Sequence, residues 1–546
     1  KLELNAEQEN AYNAICNSMD DLLFSEFLIF GVTGSGKTEI YLQLIEKALN
    51  AEKSSILLVP EISLTPQTVN RFIARFGKDK IAVLHSKLSV GERYDQWHKI
   101  NDGKAKIIIG ARSAIFAPVK NLGIIIIDEE HDSSYKSEMY PRYNAKEVAR
   151  YIARQKNIPL VLGSATPDLE TFYRAKNDDI VLLELKKRAN DAVLPKIDIV
   201  DLREELAKGN KSMISTRLYE EIEKNLQEKK QTILYLNRRG FSTFVMCRNC
   251  GYTVKCKNCN INLTYHSNTN KLKCHYCGYE EKLVTVCPNC GSKQIRYFGT
   301  GTQKLEYEIN KIFPNASTIR LDVDTVTKKN SHEQILEKFK NENIDILIGT
   351  QMVVKGHHFP NVTLVGVIAA DGSLNIDDFR ANEKTFQILT QVAGRAGRDK
   401  ETGRVIIQTY NPDNFSIECA KKHDYNLFYN TEIRMRKQLK YPPFCDIILI
   451  GLTSNKEKEV IKISEDIHNY LKNRVLKENI GIILYKAVPS PIDRIKNKYR
   501  WRILIKCKFS DDIISLINDT IDKYYSLNSK NVRITIDLNP ENMMSL

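Results

Sequence analysis

The chain has 546 residues and a formal net charge of +14 at pH 7. That length excludes a single hydrophobic core, because cores seldom grow beyond about 300 residues, and that charge favours a polyanionic partner, since Lys and Arg release counterions from phosphates. No run reaches the roughly 20 apolar residues of a membrane helix, and no signal peptide opens the chain. We therefore expect a cytoplasmic protein of three or four domains with no membrane partner. The first residue is Lys1 rather than Met, which leaves a longer product open.

Short apolar runs alternate with amphipathic stretches along the first part of the chain. The runs are of strand length and apolar on both faces, at 27–30, 56–59, 107–109, 124–127 and 160–162. Amphipathic stretches such as 39–49 and 68–76 lie between them. This alternation predicts a parallel sheet covered by helices.

A second set of runs predicts a second lobe of the same α/β class. These runs lie at 232–236, 344–348, 362–369 and 405–409. After Tyr441-Pro442-Pro443, strand-like runs at 447–452, 501–507 and 532–538 predict a small α+β terminal domain. We expect the first lobe at 1–192, the second lobe at 193–246 and 293–440, a cysteine-rich insertion at 247–292 and the terminal domain at 441–546.

A phosphate-binding loop follows the first predicted strand and precedes an amphipathic stretch. It reads Gly31-Val32-Thr33-Gly34-Ser35-Gly36-Lys37-Thr38. Glycines of such a loop let backbone N–H groups and a helix N-terminus surround phosphates. Lys37 is expected to reach the β- and γ-phosphates of ATP, and the Thr38 hydroxyl to bind Mg²⁺.

An acidic motif completes the expected nucleotide site. Asp128-Glu129-Glu130-His131 follows the apolar run at 124–127, and the carboxyl ends of parallel strands face one crevice. We expect Asp128 to hold Mg²⁺ and Glu129 to orient and deprotonate the attacking water. An ordinary acidic turn after a core strand is the alternative.

Two arginines far along the chain are candidates for the other side of that site. Arg395 and Arg398, in Gln391-Val392-Ala393-Gly394-Arg395-Ala396-Gly397-Arg398, share a helix face at their spacing of three residues. From the second lobe they would act as arginine fingers on the γ-phosphate, so that hydrolysis depends on lobe closure.

These motifs, in this order, resemble those of superfamily-two helicases. The resemblance includes Gly163-Ser164-Ala165-Thr166-Pro167 and Gly349-Thr350-Gln351. More narrowly, the chain resembles the PriA family of bacterial replication-restart helicases, on segments that include Leu58-Val59-Pro60-Glu61-Ile62-Ser63, Gly110-Ala111-Arg112-Ser113, Lys355-Gly356-His357-His358-Phe359-Pro360, Tyr499-Arg500-Trp501-Arg502, Ile536-Asp537-Leu538-Asn539-Pro540 and eight inserted cysteines.

The resemblance implies two RecA-like lobes and an ATP-dependent DNA helicase that moves 3′ to 5′. It also implies recognition of stalled or abandoned forks and initiation of primosome assembly, with primosome proteins, the replicative helicase and its loader, and single-stranded-DNA-binding protein as partners near the nucleoid. In Leu4-Asn5-Ala6-Glu7-Gln8, Gln8 matches a family glutamine that contacts adenine, and Gln391 is assigned to the nucleotide site. The family's N-terminal domains for a nascent 3′ end have no counterpart in this sequence, so that recognition is not carried over.

An aromatic and basic stretch is the candidate DNA-coupling loop. Aromatic faces stack on bases while Lys and Arg meet phosphates, and the candidates are Tyr135, Lys136, Tyr140, Arg142 and Tyr143. Pro141 stands where some relatives carry Trp. Tyrosines that pack beneath the loop are the alternative. Further phosphate contacts are expected at Thr350, Gln351 and Lys355, and coupling of the ATP site to DNA at His131, Ser164 and Thr166.

Eight cysteines in four C-x-x-C pairs predict two structural zinc sites. The pairs are Cys247/Cys250, Cys256/Cys259, Cys274/Cys277 and Cys287/Cys290, and eight thiolates fill two tetrahedral sites. A hairpin at 263–272 would join the middle pairs, which favours a nested scheme with Cys247, Cys250, Cys287 and Cys290 on one ion; sequential pairing stays open. The insertion is basic, so DNA contact and partner docking are both open.

The sequence thus predicts an ATPase motor with ATP, Mg²⁺ and two Zn²⁺. Two other hypotheses remain, a zinc-stapled DNA-binding primosome scaffold with a dispensable ATPase and an RNA-directed helicase.

Overall fold

The computed structural model describes residues 2–188, 194–237, 244–266, 269–297, 301–322, 331–350, 359–396, 403–526 and 531–543. Its first lobe contains a seven-stranded parallel sheet in the order β3-β4-β2-β5-β6-β1-β7. The strands are β1 (Glu26–Gly31), β2 (Ser54–Leu58), β3 (Ile81–Leu84), β4 (Ile107–Gly110), β5 (Leu122–Asp128), β6 (Leu160–Ser164) and β7 (Val181–Leu185). The helices are α1 (Ala6–Asp20), α2 (Lys37–Asn50), α3 (Pro66–Phe76), α4 (Val90–Asn101), α5 (Ala145–Lys156) and α6 (Leu169–Lys176).

The inner strands of this sheet are the ones that the apolar runs predict. Strands β2, β4, β5 and β6 are buried on both faces almost throughout, because helices cover both sides of a parallel sheet. The edge strands β3 and β7 are partly exposed. Neither edge strand was predicted: Glu184 interrupts the apolar run of β7, whereas β3 is apolar throughout and its run was overlooked.

The second lobe contains a six-stranded parallel sheet in the order β15-β16-β9-β17-β18-β8. Its strands are β8 (Lys196–Asp201), β9 (Gln231–Tyr235), β15 (Thr318–Leu321), β16 (Ile346–Gly349), β17 (Val362–Val367) and β18 (Arg404–Thr409). Its helices are α7 (Leu202–Ala207), α8 (Thr216–Gln227), α9 (Thr302–Ile312), α10 (Ser331–Asn341), α11 (Asp371–Leu374), α12 (Ala381–Ala393), α13 (Phe415–Lys421) and α14 (Tyr425–Leu439).

The cysteine-rich insertion consists of short antiparallel strands between β9 and α9. They are β10 (Val245–Cys247), β11 (Thr264–His266), β12 (Lys271–Lys273), β13 (Glu280–Lys282) and β14 (Ile295–Tyr297). β11 and β12 pair as a hairpin, at the place where the sequence predicts one.

The terminal domain is a five-stranded antiparallel sheet with two long helices. Its elements are β19 (Asp446–Ser454), α15 (Glu457–Glu478), β20 (Ile483–Leu484), β21 (Val488–Ile495), β22 (Lys498–Cys507), α16 (Asp511–Ser526) and β23 (Val532–Leu538). The order is β20-β22-β19-β23, with β21 also on β22. The predicted α/β fold of two parallel-sheet lobes, an inserted cysteine module and an α+β terminal domain is confirmed.

The parts of the chain share hydrophobic cores. Phe172 of α6 packs edge-on against Tyr425 and Tyr429 of α14, which joins the lobes. One apolar cluster contains Leu272 of the insertion together with Ile447 and Leu504 of the terminal sheet. The lobes, the insertion and the terminal domain are therefore packed against one another. Among the described residues, no helix is long and apolar enough to cross a membrane.

Candidate functional site

The phosphate-binding loop connects the end of β1 to the start of α2. Gly34 and Gly36 both have φ of +84°, a left-handed conformation that residues with a Cβ rarely adopt. Lys37 Nζ donates to the Gly31 carbonyl at 3.1 Å. The buried Ser35 hydroxyl finds no hydrogen-bond partner among the residues that the structure describes. The loop thus has the backbone turn and the polar groups that suit a phosphate.

Gln8, the candidate adenine contact, lies against this loop. Its side-chain amide donates to the Ser35 carbonyl at 2.8 Å. Its amide oxygen accepts from the backbone of Asn5 at 2.9 Å, which closes a capping box at the start of α1. Gln8 therefore stabilises the phosphate-binding loop through the Ser35 carbonyl and lies next to the expected nucleotide site.

Asp128 ends β5 at the same edge of the sheet. Tyr41 of α2 donates a 2.9 Å hydrogen bond to its carboxylate, and Gly163 makes room for that tyrosine, since a Cβ at Gly163 would lie 1.7 Å from the Tyr41 hydroxyl. Burial and the neighbouring Glu129 carboxylate raise the pKa of Asp128 to about 6, while Lys37 and Tyr41 oppose the rise. The carboxylate is therefore close to its charge transition near neutral pH.

The three predicted coupling residues form a chain of contacts. His131 Nε2 lies 3.6 Å from Glu129 Oε2, and His131 Nδ1 lies 2.7 Å from the Ser164 hydroxyl. The backbone N–H of Thr166 donates to that hydroxyl at 3.0 Å. Glu129 itself has φ of +46°, a strained conformation that recurs at functional sites. The acidic motif and the segment 163–167 are thus directly connected.

One face of α12 carries the second lobe's contacts to the first. Glu383 Oε1 accepts from the backbone N–H of Leu169 at 2.7 Å, and Gln387 donates to the Thr166 carbonyl at 3.3 Å. Gln391, four residues further on, contacts His131. Residues four apart lie on one helix face. These three side chains therefore contact the acidic motif and the segment 163–169 of the opposite lobe. Glu383 and Gln387 were not predicted, because no local pattern marks them.

Of the two predicted arginines, Arg395 lies just beyond the end of the same helix, which ends at Ala393, so it is not on a helix face as the sequence predicts. A Cβ at Gly394 would lie 3.0 Å from Thr33 of the phosphate-binding loop, so the two motifs are in contact across the lobes. Arg395 is partly buried beside this contact. Arg398 lies outside the described residues, as do Gln351, Lys355, His357 and His358; Thr350 is buried after β16.

The coupling loop, defined here as 132–144, differs from its prediction at three residues. Tyr135 was expected to stack on bases, but it is 1% exposed and its hydroxyl lies 2.5 Å from the Asp128 carbonyl. Lys136 and Arg142 were expected to meet phosphates, but both pair with Asp537 at 3.0 Å. The alternative of a tyrosine packed beneath the loop therefore describes Tyr135. Burial also removes Lys136 from a strand, whereas Arg142 is only partly buried and keeps one side open to the groove described below.

The remaining aromatic candidates lie nearer the surface. Tyr140, at the tip of the loop, is 87% exposed. Tyr143 is partly buried, packs edge-on against Phe116 at 5.0 Å between ring centroids and lies under the Arg112 guanidinium. Tyr140 is thus the ring of this loop most available to a base.

A groove of about 1130 Å³ separates the loop tip from the terminal domain. Six basic side chains line it: Arg142, Lys456, Lys496, Lys498, Arg500 and Arg533. Tyr140, Tyr524 and Tyr525 line it too. Cations interleaved with aromatic rings are the composition of single-strand binding surfaces. Five chain segments contribute to the groove, so no single run of sequence indicated it.

The eight cysteines form two groups of four in the nested arrangement. Cys247, Cys250, Cys287 and Cys290 form one group, and Cys256, Cys259, Cys274 and Cys277 form the other. Sulfur atoms of opposite pairs lie 3.6–3.7 Å apart. Four sulfurs at about 2.3 Å from a zinc ion define a tetrahedron with edges of about 3.8 Å. The donor sets therefore fit Zn²⁺ in closed, four-sulfur sites.

Asparagine side chains donate to sulfur atoms at three of the four C-x-x-C turns. Asn249, Asn258 and Asn289 each precede the second cysteine of a pair, and each amide points at a sulfur of the opposite pair at 3.6–3.7 Å. N–H donors stabilise thiolates and orient metal ligands. The repeated C-x-N-C spacing was a usable sequence signal that the prediction missed.

Comparison with known proteins agrees with the architecture. The family model described as "Type III restriction enzyme, res subunit" matches residues 1–169, and "Helicase conserved C-terminal domain" matches 281–400. "PriA DNA helicase Cys-rich region (CRR) domain" matches 256–282, and "Primosomal protein N C-terminal domain" matches 437–541.

Curated relatives align with nearly all of the chain. Replication restart protein PriA of Bacillus subtilis is 50% identical over 100% of this chain and 67% of that protein. The Synechocystis protein of the same name is 45% identical over 88% of this chain and 59% of its own length, and that of Chlamydia trachomatis is 42% identical over 98% and 71%. The chain spans about two thirds of the length of these relatives. With the motor halves, the cysteine module and the terminal domain all matched, the chain belongs to the PriA family of replication restart helicases.

Proposed function

We propose that this chain is the motor of an ATP-dependent DNA helicase that acts at stalled or abandoned replication forks. The observation that carries the proposal is the meeting of two half-sites: the phosphate-binding loop and Asp128 on one lobe, and α12 with Gly394 on the other. A site divided between lobes makes ATP hydrolysis depend on their closure. Movement of the lobes is what advances a helicase along a strand.

The chain's own groups have separable roles in this proposal. Residues 31–38 bind the phosphates, with Lys37 on the β- and γ-phosphates. Glu129 orients the attacking water and takes its proton. Arg395 and Arg398 stabilise charge on the transferred phosphoryl group from the second lobe. Gln8 and Gln391 flank the nucleotide, and His131, Ser164 and Thr166 report its state to the DNA groove.

Thr38 and Asp128 would hold Mg²⁺ with the nucleotide. An oxygen-only pair at the mouth of the phosphate-binding loop fits this cation. When bound, Mg²⁺ neutralises charge on the phosphate oxygens. Two zinc ions, one for each group of four thiols, would staple the insertion and have no open position for catalysis.

Single-stranded DNA is proposed to pass between the lobes and the terminal domain. Tyr140 offers a stacking face, Gln351 and Lys355, which follow the buried Thr350, contact phosphates, and the basic groove continues the path. Because three relatives are named replication restart proteins, we extend to this chain the start of primosome assembly, 3′-to-5′ movement and a nucleoid-associated, cytoplasmic location. The partners would be primosome proteins, the replicative helicase with its loader, and single-stranded-DNA-binding protein.

The test compares Lys37→Ala with Lys47→Ala. Removal of Lys37 should lower DNA-stimulated ATP hydrolysis by about 100- to 1000-fold and abolish unwinding, while binding to forked DNA persists. Lys47 lies on the same helix and pairs with Asp20 at the surface, so its variant should behave as wild type. Unwinding that survives the Lys37 change would rule out the motor.

Two further measurements separate the remaining hypotheses. Matched single-stranded DNA and RNA should stimulate the ATPase unequally, with DNA the stronger, whereas an RNA-directed helicase would show the reverse. Duplexes with a 3′ or a 5′ single-stranded tail report the direction of movement. Assembly at a fork that is undiminished in Lys37→Ala, together with a wild-type ATPase that DNA does not stimulate, would favour the scaffold.

A further inference from the structure

We propose that Asp537 is a positioning residue of the coupling loop, which it anchors to the terminal domain so that DNA in the neighbouring groove acts on the ATPase site. The inference rests on the proposed helicase function and adds to it a residue from the far end of the chain. It concerns the base of the loop rather than its exposed tip.

Asp537 occupies an unusual place in β23. Side chains alternate along a strand, and Val532, Ile534 and Ile536 belong to the terminal domain's hydrophobic core. Asp537 shares the opposite face with Arg533 and Thr535. A carboxylate on the outer face of a sheet is normally solvated, yet Asp537 is only 4% exposed, because the coupling loop of the first lobe covers it.

The carboxylate holds both ends of the loop's base. Lys136 Nζ lies 3.0 Å from Asp537 Oδ1 and donates to the Leu538 carbonyl at 2.7 Å. Arg142 donates to Asp537 Oδ2 at 3.0 Å. All three side chains are largely buried, and a buried charge that loses its partner forces the surrounding structure to rearrange. One acidic group therefore sets the position of the loop.

The anchored base is continuous with the ATPase site. Tyr135 directly precedes Lys136, and its hydroxyl lies 2.5 Å from the Asp128 carbonyl. Arg112 donates to the Lys136 carbonyl at 2.5 Å and to the Ser134 carbonyl at 3.0 Å. Residues 134–136 are thus held through the side chain of Tyr135 by β5, through two backbone carbonyls by Arg112, and through the side chain of Lys136 by Asp537. A displacement of Lys136 has to move Tyr135 and the end of β5.

The tip of the loop remains open to nucleic acid. Met139 is 77% exposed, Tyr140 is still more exposed, and both line the basic groove with Arg533 of β23. A strand in that groove would touch the tip and the terminal sheet together. With the base fixed by Asp537, force on the tip reaches residues 134–136 instead of being absorbed by a mobile loop.

The experiment uses the whole chain and the substitution Asp537→Asn, which removes the charge and keeps the size. The ratio of ATPase activity with saturating single-stranded DNA to activity without DNA should fall by about 3- to 30-fold, without a matching change in the KM for ATP. Asp537→Glu should recover part of the ratio. Asp446→Asn is the matched control, because that carboxylate bonds Asn539 and Phe509 within the terminal domain, and its ratio should equal that of wild type.

Opposite results would overturn the proposal. A rise of the DNA-free ATPase toward the stimulated rate would mean that Asp537 restrains the loop, and an unchanged ratio would mean that the ion pairs only join two domains. If Asp537→Asn does not fold, as judged by thermal unfolding, Lys136→Gln tests the same anchor from the loop side and should lower the ratio, because Lys136 pairs with Asp537 and does not line the groove. A wild-type protein that DNA does not stimulate would refute the proposed function itself, which is a distinguishable result.

Discussion

Glu383 in the second lobe accepts a hydrogen bond from the backbone N–H of Leu169, the first residue of α6 in the first lobe. A carboxylate at a helix N-terminus satisfies an unpaired N–H and interacts favourably with the helix dipole. Here the cap comes from the other lobe, and Arg436 pairs with the same carboxylate at 2.5 Å. A change in the relative position of the lobes would therefore alter this hydrogen bond at the N-terminus of α6, close to the segment 163–167.

Gln387 tests this interlobe face with little risk to folding. Gln387→Ala should lower DNA-stimulated kcat by about 3- to 10-fold, the value of one hydrogen bond to the Thr166 carbonyl, with a smaller change in the KM for ATP. Steady-state ATPase kinetics measure both. Gln227→Ala, on an exposed turn of α8, is the control. A change confined to KM would show that the contact serves binding and not closure.

The ATPase should lose activity on the acid side of neutrality. Asp128, whose pKa is raised to about 6, has to be ionised to bind Mg²⁺, so kcat/KM at a fixed, subsaturating Mg²⁺ concentration should fall about tenfold per pH unit below the midpoint. Added Mg²⁺ should move the midpoint to lower pH.

Tyr41→Phe independently tests whether the pKa of Asp128 sets the pH midpoint of the ATPase activity. The Tyr41 hydroxyl lowers the pKa of Asp128 by donating to its charged form. Its loss should therefore raise the midpoint, by about one pH unit for a hydrogen bond to a charged group. A midpoint that moves downward, or a profile that stays flat from acid to neutral pH, would contradict the assignment of Asp128.

Paired cysteine substitutions distinguish nested from sequential zinc binding. Wild type should contain two zinc ions per chain by metal analysis. In the nested arrangement Cys250→Ser with Cys287→Ser damages one site and should leave one ion, whereas Cys250→Ser with Cys256→Ser damages both and should leave none. Sequential pairing gives the reverse result. Cys445→Ser, outside both groups of four, should retain the wild-type content.

A buried ion pair in the first lobe should contribute to stability in a pH-dependent way. Burial alone would raise the pKa of Glu26, but Arg150 and Arg174 outweigh it and lower the pKa to about 2. The stabilisation is therefore present above about pH 4.5 and is lost as the pH falls toward 2.

Glu26→Ala should lower the unfolding free energy at neutral pH by about 3 kcal/mol, because two partly buried guanidinium groups lose their buried partner. Glu147, an exposed residue that also pairs with Arg150, is the control, and its alanine variant should cost less than about 1 kcal/mol. Equal losses of unfolding free energy in the two variants, measured by denaturant unfolding, would show that the buried Glu26 pair stabilises the fold no more than an exposed pair does.

Local patterns in the chain were enough for the class of fold and the family. The inner strands could be predicted because burial on both faces requires uninterrupted apolar runs. Polar residues interrupt the edge strands β7, β8 and β15, which were missed, and the apolar edge strand β3 was overlooked. The phosphate-binding loop and each C-x-x-C pair are continuous runs of sequence, so their chemistry could be predicted without a structure. The prediction for Tyr135, Lys136 and Arg142 assumed that these side chains are exposed. Their exposure depends on the terminal domain that packs over the loop, which no local pattern shows.

The sequence alone therefore supplied the parts of the protein: two half-sites for ATP, eight thiols and a basic, aromatic loop. Their assembly depended on contacts between residues that are distant in the chain, such as Lys136 and Leu538, which are 402 positions apart. Glu383 became a cap of α6 and Asp537 an anchor of the coupling loop only once the lobes and terminal domain were packed together. Neither role has a local signature, because each depends on the shape of a surface built from other segments.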